Sequence, residues 1–203
     1  MDFSGDGLEV VDPATGEVRR AKFFVAVLGA SNLTYVEPTF GEDLPTWVAC
    51  HVRAFEYFGG VTELVVSDNL KAGVIRAHRY EPEENPTYGD LARHYGFAIL
   101  PARPRRPRDK AKVEAAVLLA QRWIMAALRH RKFTSLTDVR EAVKPLLEAL
   151  NNRTMRKLGK SRRALFEEVE RSALKPLPAR PYELALWKKA RVNIDYHVEL
   201  EGH

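Results

Sequence analysis

The chain has 203 residues, 45% of them apolar and 29% charged, a composition that excludes a largely disordered protein. No run of about 18 apolar residues occurs, which excludes an apolar membrane-spanning helix, and the acidic start Met1-Asp2-Phe3 lacks the apolar segment of a signal peptide. The formal net charge is +5, and the single cysteine, Cys50, can form no internal disulfide and cannot alone hold zinc or an iron–sulfur cluster; a reducing cytoplasm is the expected compartment.

Asp2-Phe3-Ser4 and Leu8-Glu9-Val10-Val11 read as a first strand that enters a hairpin at Asp12-Pro13-Ala14-Thr15-Gly16. The apolar run at residues 23–28 predicts a buried second strand. Residues 33–37, after a Ser-Asn turn, predict a third, so the first forty residues read as an antiparallel meander. Leu44-Pro45-Thr46 opens a helix with Trp47, Val48, Val52, Phe55 and Phe58 at helical spacing, stopped by Gly59-Gly60. Leu64-Val65-Val66 is a short buried strand. A helix through Leu91, Ala92 and Tyr95 ends at Gly96, and residues 97–100 form a fifth strand. A proline-broken basic loop, 101–108, leads to a long helix from Asp109, on which Val113, Ala116, Val117, Ala120, Ile124, Ala127 and Leu128 recur at three and four. Helices are expected at 138–150 and after the cap Ser161, carrying Leu165, Phe166 and Val169. Residues 174–181 are a proline-rich linker, and 192–198 alternate like a strand. A lone terminal strand is marginal, so the sequence is expected to be cut at the start of a further domain.

Charge is distributed unevenly. Residues 1–44 hold eight acids and three bases, a net −5, whereas residues 122–163 hold twelve Lys or Arg and three acids, a net +9. A basic block in helical sequence suits a polyanionic partner. The order β-β-β-α-β-α-β-α, meander first, predicts an α/β fold. It is a ribonuclease-H-like mixed five-stranded sheet flanked by helices, with a C-terminal helical extension and a truncated following domain. The expected organisation is a catalytic core at 1–135, a basic helical extension at 136–173, and a linker with the start of a C-terminal β domain at 174–203.

Three acids fall at element ends: Asp2 on the first strand, Asp68 after the fourth, and Glu114 on the long helix. Neighbouring strands would let Asp2 face Asp68, with the helix bringing Glu114 over both. Clustered carboxylates repel one another unless a divalent cation offsets the charge. Oxygen ligands favour Mg²⁺ or Mn²⁺, and two such ions suit in-line phosphoryl displacement. Composition alone does not select these three from 27 acids, most of which are solvated surface groups.

Four ordered blocks carry a resemblance: Asp2-Phe3-Ser4-Gly5-Asp6; Ser67-Asp68-Asn69-Leu70-Lys71-Ala72; His94-Tyr95-Gly96-Phe97 with Pro101-Ala102-Arg103-Pro104; and Asp109-Lys110-Ala111-Lys112-Val113-Glu114. With Gly159-Lys160-Ser161-Arg162 they resemble the catalytic core of DDE transposases of the IstA insertion-sequence family, which are similar to retroviral integrases. The resemblance implies Mg²⁺-dependent DNA cleavage and strand transfer, with Asp2, Asp68 and Glu114 as the catalytic and metal-binding triad. It also implies transposon-end and target DNA, an ATPase helper of the IstB type, and a homo-oligomer on DNA, with no membrane partner.

Asn69 adjoins a triad acid and is expected to orient it or to serve as a turn residue. Lys71, Lys110 and Lys112, beside triad positions, and Arg103, Arg105, Arg106 and Arg108, in the proline-stiffened loop, are candidate phosphate contacts. Gln121 stands where the resemblance implies a basic residue, and Arg122 is expected to replace it. Trp47, Trp123 and Trp187 read as core or interface packing. Two alternatives share the fold: an inactive DNA-binding remnant, and a ribonuclease-H-like nuclease that hydrolyses without joining.

Overall fold

Phe23, Phe24, Val25 and Ala26 are completely buried, because the strand that carries them is covered on both faces. The structure, a computed structural model, describes residues 1–67, 74–76, 83–101 and 107–184. In it β2 (Val18–Val27) lies between β1 (Asp2–Val11) and β3 (Thr34–Thr39), antiparallel to both. In the β1–β2 turn the Asp12 carboxylate accepts from the Ala14 and Thr15 amides at 2.8 and 3.3 Å. Gly16 then takes a left-handed φ of 72°.

The β1–β2 register slips between Phe3 and Gly7. Ser4 makes good the interruption: its hydroxyl accepts from the Phe23 amide at 3.0 Å and donates to the Asp6 carbonyl at 2.6 Å. At Gly7 a β-carbon would lie 2.5 Å from the Ala21 carbonyl oxygen, so only glycine allows the strands to approach.

Helix α1 (Leu44–Phe58) starts where Asp43 accepts from the Thr46 amide at 2.9 Å and ends at Gly59, φ 71°. Strand β4 (Leu64–Ser67) pairs parallel with β7 (Ala98–Pro101), and α2 (Pro86–Tyr95) joins them. Between β4 and α2 a small hairpin forms, β5 (Val74–Arg76) against β6 (Glu83–Glu84); its charged sequence carries no alternation that would announce it. Helix α3 (Pro107–Ala120) begins two residues before the expected Asp109, and proline suits a first helical turn. It runs on through a π turn, Gln121–Met125, into Ala126–Leu128. Helix α4 (Leu136–Asn152), capped by Ser135, and the short α5 (Arg162–Leu165), capped by Ser161, follow. A second π turn, Phe166–Glu170, and a 3-10 turn, Arg171–Ala173, follow α5. The expected strand at 192–198 lies outside the described residues.

Two cores result. Phe3, Phe24, Ala26 and Leu28 meet α1 and α2 on one face. Leu8, Val10, Phe23, Val25 and Val36 meet α3, its π turn and α4 on the other. The five expected strands are β1–β4 and β7, hydrogen-bonded as a three-stranded antiparallel sheet, β1-β2-β3, and a parallel pair, β4-β7, with helices on both faces. One hydrogen bond, from the Met1 nitrogen to the Val66 carbonyl at 2.8 Å, sets the start of β1 against β4.

Candidate active site

The pleat decides where Asp2 points. Its register partner is Val25, which belongs to the α3–α4 core, whereas the partner of Phe3 is Phe24, on the α1–α2 side. Asp2 therefore lies on the sheet face that α3 covers. It is half-buried, and its Oδ1 accepts from the Phe3 amide at 2.8 Å. Glu114 is exposed on α3, flanked by buried Val113 and Ala116.

The three elements converge on one cavity of about 240 Å³, lined among others by Met1, Val66, Gly29, Lys112 and Val113. Met1 precedes Asp2, Val113 precedes Glu114, and Val66 stands two residues before Asp68, but neither Asp2 nor Glu114 is among the residues that line the cavity. Asp68 itself, with Asn69, Lys71, Arg103, Arg105 and Arg106, lies outside the described residues, as do the side chains of Arg108 and Lys110 on the first turn of α3. Among the described residues no three His, Cys, Asp or Glu side chains cluster as a metal site. Lys112 donates to the Gly29 carbonyl, so it clips the start of α3 to the β2–β3 turn. The other side of that turn is held by Glu170, which accepts from the Ala30 and Ser31 amides at 2.9 Å each and from the Ser31 hydroxyl at 2.5 Å. Arg122 is exposed on the π turn.

Other chemical groups are absorbed by the scaffold. Cys50 is fully buried, and burial pushes its thiol up to about 12, so it is no nucleophile. His51 is likewise enclosed; its Nδ1 lies 2.8 Å from the Trp47 carbonyl, which can only accept, so that nitrogen carries the proton. Burial lowers its pKa to about 3. Glu37, on β3, is buried between Arg53 and Arg140 at 2.8 and 3.2 Å and accepts from the Tyr35 hydroxyl at 3.0 Å. Burial and the Glu37 charge raise the Tyr35 phenol.

The sequence reading missed one feature. Trp123, expected to pack, is 47% exposed, and the Arg153 guanidinium lies over its ring at 4.0 Å. Ile124, already on the expected apolar stripe, is buried together with Met125 in the π turn, whereas Ala127, also expected there, is exposed. Trp47 packs as expected, and Trp187 lies outside the described residues.

Residues 4–107 match the integrase core domain family. A transposase-family protein of Sinorhizobium fredii, y4bL/y4kJ/y4tB, is 55% identical over 200 residues, which cover 98% of this chain and 39% of that protein. The transposase for insertion sequence element IS21 of Pseudomonas aeruginosa is 30% identical over 96% of this chain and 50% of its own length. The chain thus spans two fifths to half of these relatives. Among solved structures, a chain of the simian T-cell lymphotropic virus intasome, in complex with PP2A regulatory subunit B56 gamma, aligns with a TM-score of 0.60 at 14% identity over 91% of this chain and 60% of its own. The HTLV-2 integrase catalytic core domain, in complex with magnesium, gives 0.55 at 15% identity over 81% and 94%. These likenesses carry the fold, which is ribonuclease-H-like. The match over residues 4–107 and the 55% identity to the Sinorhizobium fredii protein over 98% of this chain make the chain a member of the integrase core domain family.

Proposed function

We propose that the chain is the catalytic core of a DDE transposase, which cleaves DNA at a transposon end and joins the freed 3′-hydroxyl to target DNA by in-line phosphoryl transfer. The observation that supports it most directly is that Asp2, on β1, lies on the sheet face covered by α3, the helix that carries Glu114; β1, β4 and α3 also line one cavity of about 240 Å³ through Met1, Val66 and Val113, with neither acid among its lining residues. In this reading Asp2, Asp68 and Glu114 offer only carboxylate oxygens, a donor set suited to Mg²⁺ or Mn²⁺ and to two ions in particular. When bound, the ions supply charge neutralisation at the scissile phosphate.

The chain's own contribution is position. The β1 pleat holds Asp2 on the α3 face, and the Lys112 and Glu170 contacts to the β2–β3 turn fix that end of the site. Asn69 orients Asp68. Lys71, Lys110, Arg122 and the arginines at 103, 105, 106 and 108 hold phosphates, while Lys112 divides its charge between Gly29 and DNA. The whole assembly further takes an IstB-type ATPase and a second copy of the chain on DNA, within the cytoplasm. The basic extension at 136–173 packs through α4. No helix among the described residues is long and apolar enough to cross a membrane.

The test is an assay of the full-length transposase on a labelled transposon-end duplex and a target plasmid, with Mg²⁺ or Mn²⁺. Asp68→Asn and Glu114→Gln are each expected to lower both cleavage and joining at least about 10³-fold, the scale of a lost transition-state charge partner. Cleavage without joining would instead indicate a nuclease. Unchanged activity in both variants would remove the triad.

A further inference from the structure

A second groove, distinct from the 240 Å³ cavity, lies where the loop between α4 and α5 folds back on the π turn that follows α3. A groove of about 490 Å³ is lined there by Trp123, Arg153, Arg156, Lys157, Leu158 and Arg162, with Asn32 from the β2–β3 turn beside them. The loop is built rather than loose. The Met155 amide donates to the Lys160 carbonyl at 2.9 Å, Thr154 bridges to Ser161, and Gly159 takes a φ of 65°.

The electrostatics of the groove are one-sided. Arg153, Arg156 and Lys157 are exposed, and among the described residues none of these three, nor Arg162, has a carboxylate partner. The neighbouring cations are handled differently: Lys160 pairs with Glu168 at 2.5 Å and Arg163 with Glu148 at 3.0 Å. Arg162 is half-buried; one terminal nitrogen donates to the Leu150 carbonyl at 3.1 Å, while its Nε is buried with no acceptor among the described residues. Burial and the adjacent Arg153 charge both disfavour its protonated form. Two guanidiniums that repel one another, one with an unsatisfied donor, are relieved by an anion between them. Stacking on Trp123 fixes the Arg153 plane in advance, so little side-chain entropy remains to be lost when its free edge meets a phosphate.

We propose that this groove holds the phosphodiester backbone of duplex DNA, independent of base sequence, through Arg153, Arg156, Lys157 and Arg162, with Trp123 as the platform that positions Arg153. That the polyanion is DNA rests on the transposase reading; that the groove takes an anion rests on its own geometry. The surrounding block of residues 122–163, net +9, extends the same field over the length of a duplex.

The test is fluorescence anisotropy with a 30-base-pair duplex of arbitrary sequence, in EDTA so that no metal-dependent chemistry contributes, over a series of salt concentrations. The triple variant Arg153→Gln, Arg156→Gln, Lys157→Gln changes only exposed side chains. Three phosphate contacts contribute about 2.7 to the slope of log affinity against log salt, and the variant is expected to lose about that much. A control variant of equal charge loss, Arg129→Gln, Arg131→Gln, Lys132→Gln, lies elsewhere and is expected to lose less than about 1. Trp123→Ala is expected to weaken binding about 3- to 10-fold, the scale of a lost cation–π contact, with little change in slope. Equal losses in the two triple variants, or none in the first, would overturn the groove. Polyglutamate of matched charge competing as well as duplex would overturn DNA as its occupant. Groove variants that bind as wild type while Asp68→Asn abolishes activity would sink this inference and leave the transposase reading standing.

Discussion

Asn151 is a polar residue with no exposure at all, and its replacement by alanine tests how α4 is fastened to the sheet. Its side chain mimics a neighbouring strand. Oδ1 accepts from the Thr34 amide at 3.1 Å, and Nδ2 donates to the Thr34 carbonyl at 2.7 Å and to the Tyr57 hydroxyl at 2.9 Å. Thr34 opens β3, an edge strand of the three-stranded sheet, so its outward amide and carbonyl have no further strand to pair with. Asn151→Ala leaves both groups buried without partners. Each such group costs about 1–3 kcal/mol, and the Tyr57 hydroxyl keeps Arg163 at 3.2 Å as compensation, so the expected loss is about 3 kcal/mol. For a chain of this length that corresponds to a fall in Tm of about 6–12 °C. Urea denaturation, followed by circular dichroism and tryptophan fluorescence together, reads it out. A loss below about 0.5 kcal/mol at an unchanged m-value, the scale of a surface substitution, would show that the Thr34 groups are hydrated and that α4 is held by its apolar face alone.

Two further predictions concern pH and the β2–β3 turn. His51 has a pKa of about 3 when folded against an ordinary 6.5, so below pH 6.5 the unfolded chain binds a proton that the folded chain refuses. Its contribution is fully present above pH 6.5 and is lost as pH falls toward 3. The stability gap between wild type and His51→Phe, measured in urea, should therefore move by about 2 kcal/mol against wild type between pH 7 and pH 5; a constant gap would refute burial of a neutral imidazole. Glu170→Gln keeps the shape but weakens three hydrogen bonds to Ala30 and Ser31. It should cost about 1–2 kcal/mol and speed hydrogen exchange at those two amides, and unaltered exchange there would count against the clasp.

The scaffold was legible wherever a local rule coincided with the tertiary outcome. The apolar run at 23–28 reads as a buried strand because β2 is covered on both faces. Pro45 with Gly59, and Ser161, mark helix ends because capping is settled within a few residues. The π turn at Gln121–Met125 was not legible. It inserts an extra residue without glycine or proline to announce it, and Ala127, which helical periodicity places on the apolar stripe, is exposed. Nor could spacing single out the basic groove, because Trp123 and Arg153 meet only once the α4–α5 loop folds back on α3. The acids proposed as a triad are legible through the resemblance alone. What can be derived from physics is the face that Asp2 takes, which follows from pleat alternation and register.

The charge asymmetry acquires a sharper meaning once the ion pairs are known. Four of the eight acids of the first 44 residues are consumed by architecture: Asp12 in a turn, Asp43 in a cap, Glu42 against Lys22 at 3.0 Å, and Glu37 between two arginines. In the basic block, Arg140, Lys144, Lys160 and Arg163 are paired with carboxylates, whereas Arg122, Arg129, Arg131, Lys132, Arg153, Arg156, Lys157 and Arg162 have no such partner among the described residues. Outside the proposed triad, these paired acids serve stability, and the uncompensated bases of the Arg153–Arg162 groove are what a polyanion meets. Glu37→Gln separates the two. Arg53 and Arg140 are about two fifths exposed and regain water, so the cost is expected between that of a surface pair and that of a broken buried pair, at about 1–3 kcal/mol. DNA affinity should keep its salt slope within about 1, since no phosphate contact is removed. Should the variant instead bind DNA with a markedly steeper slope while retaining wild-type stability, Glu37 would be acting as a screen on the binding surface, and the division between acids that build and bases that bind would fail.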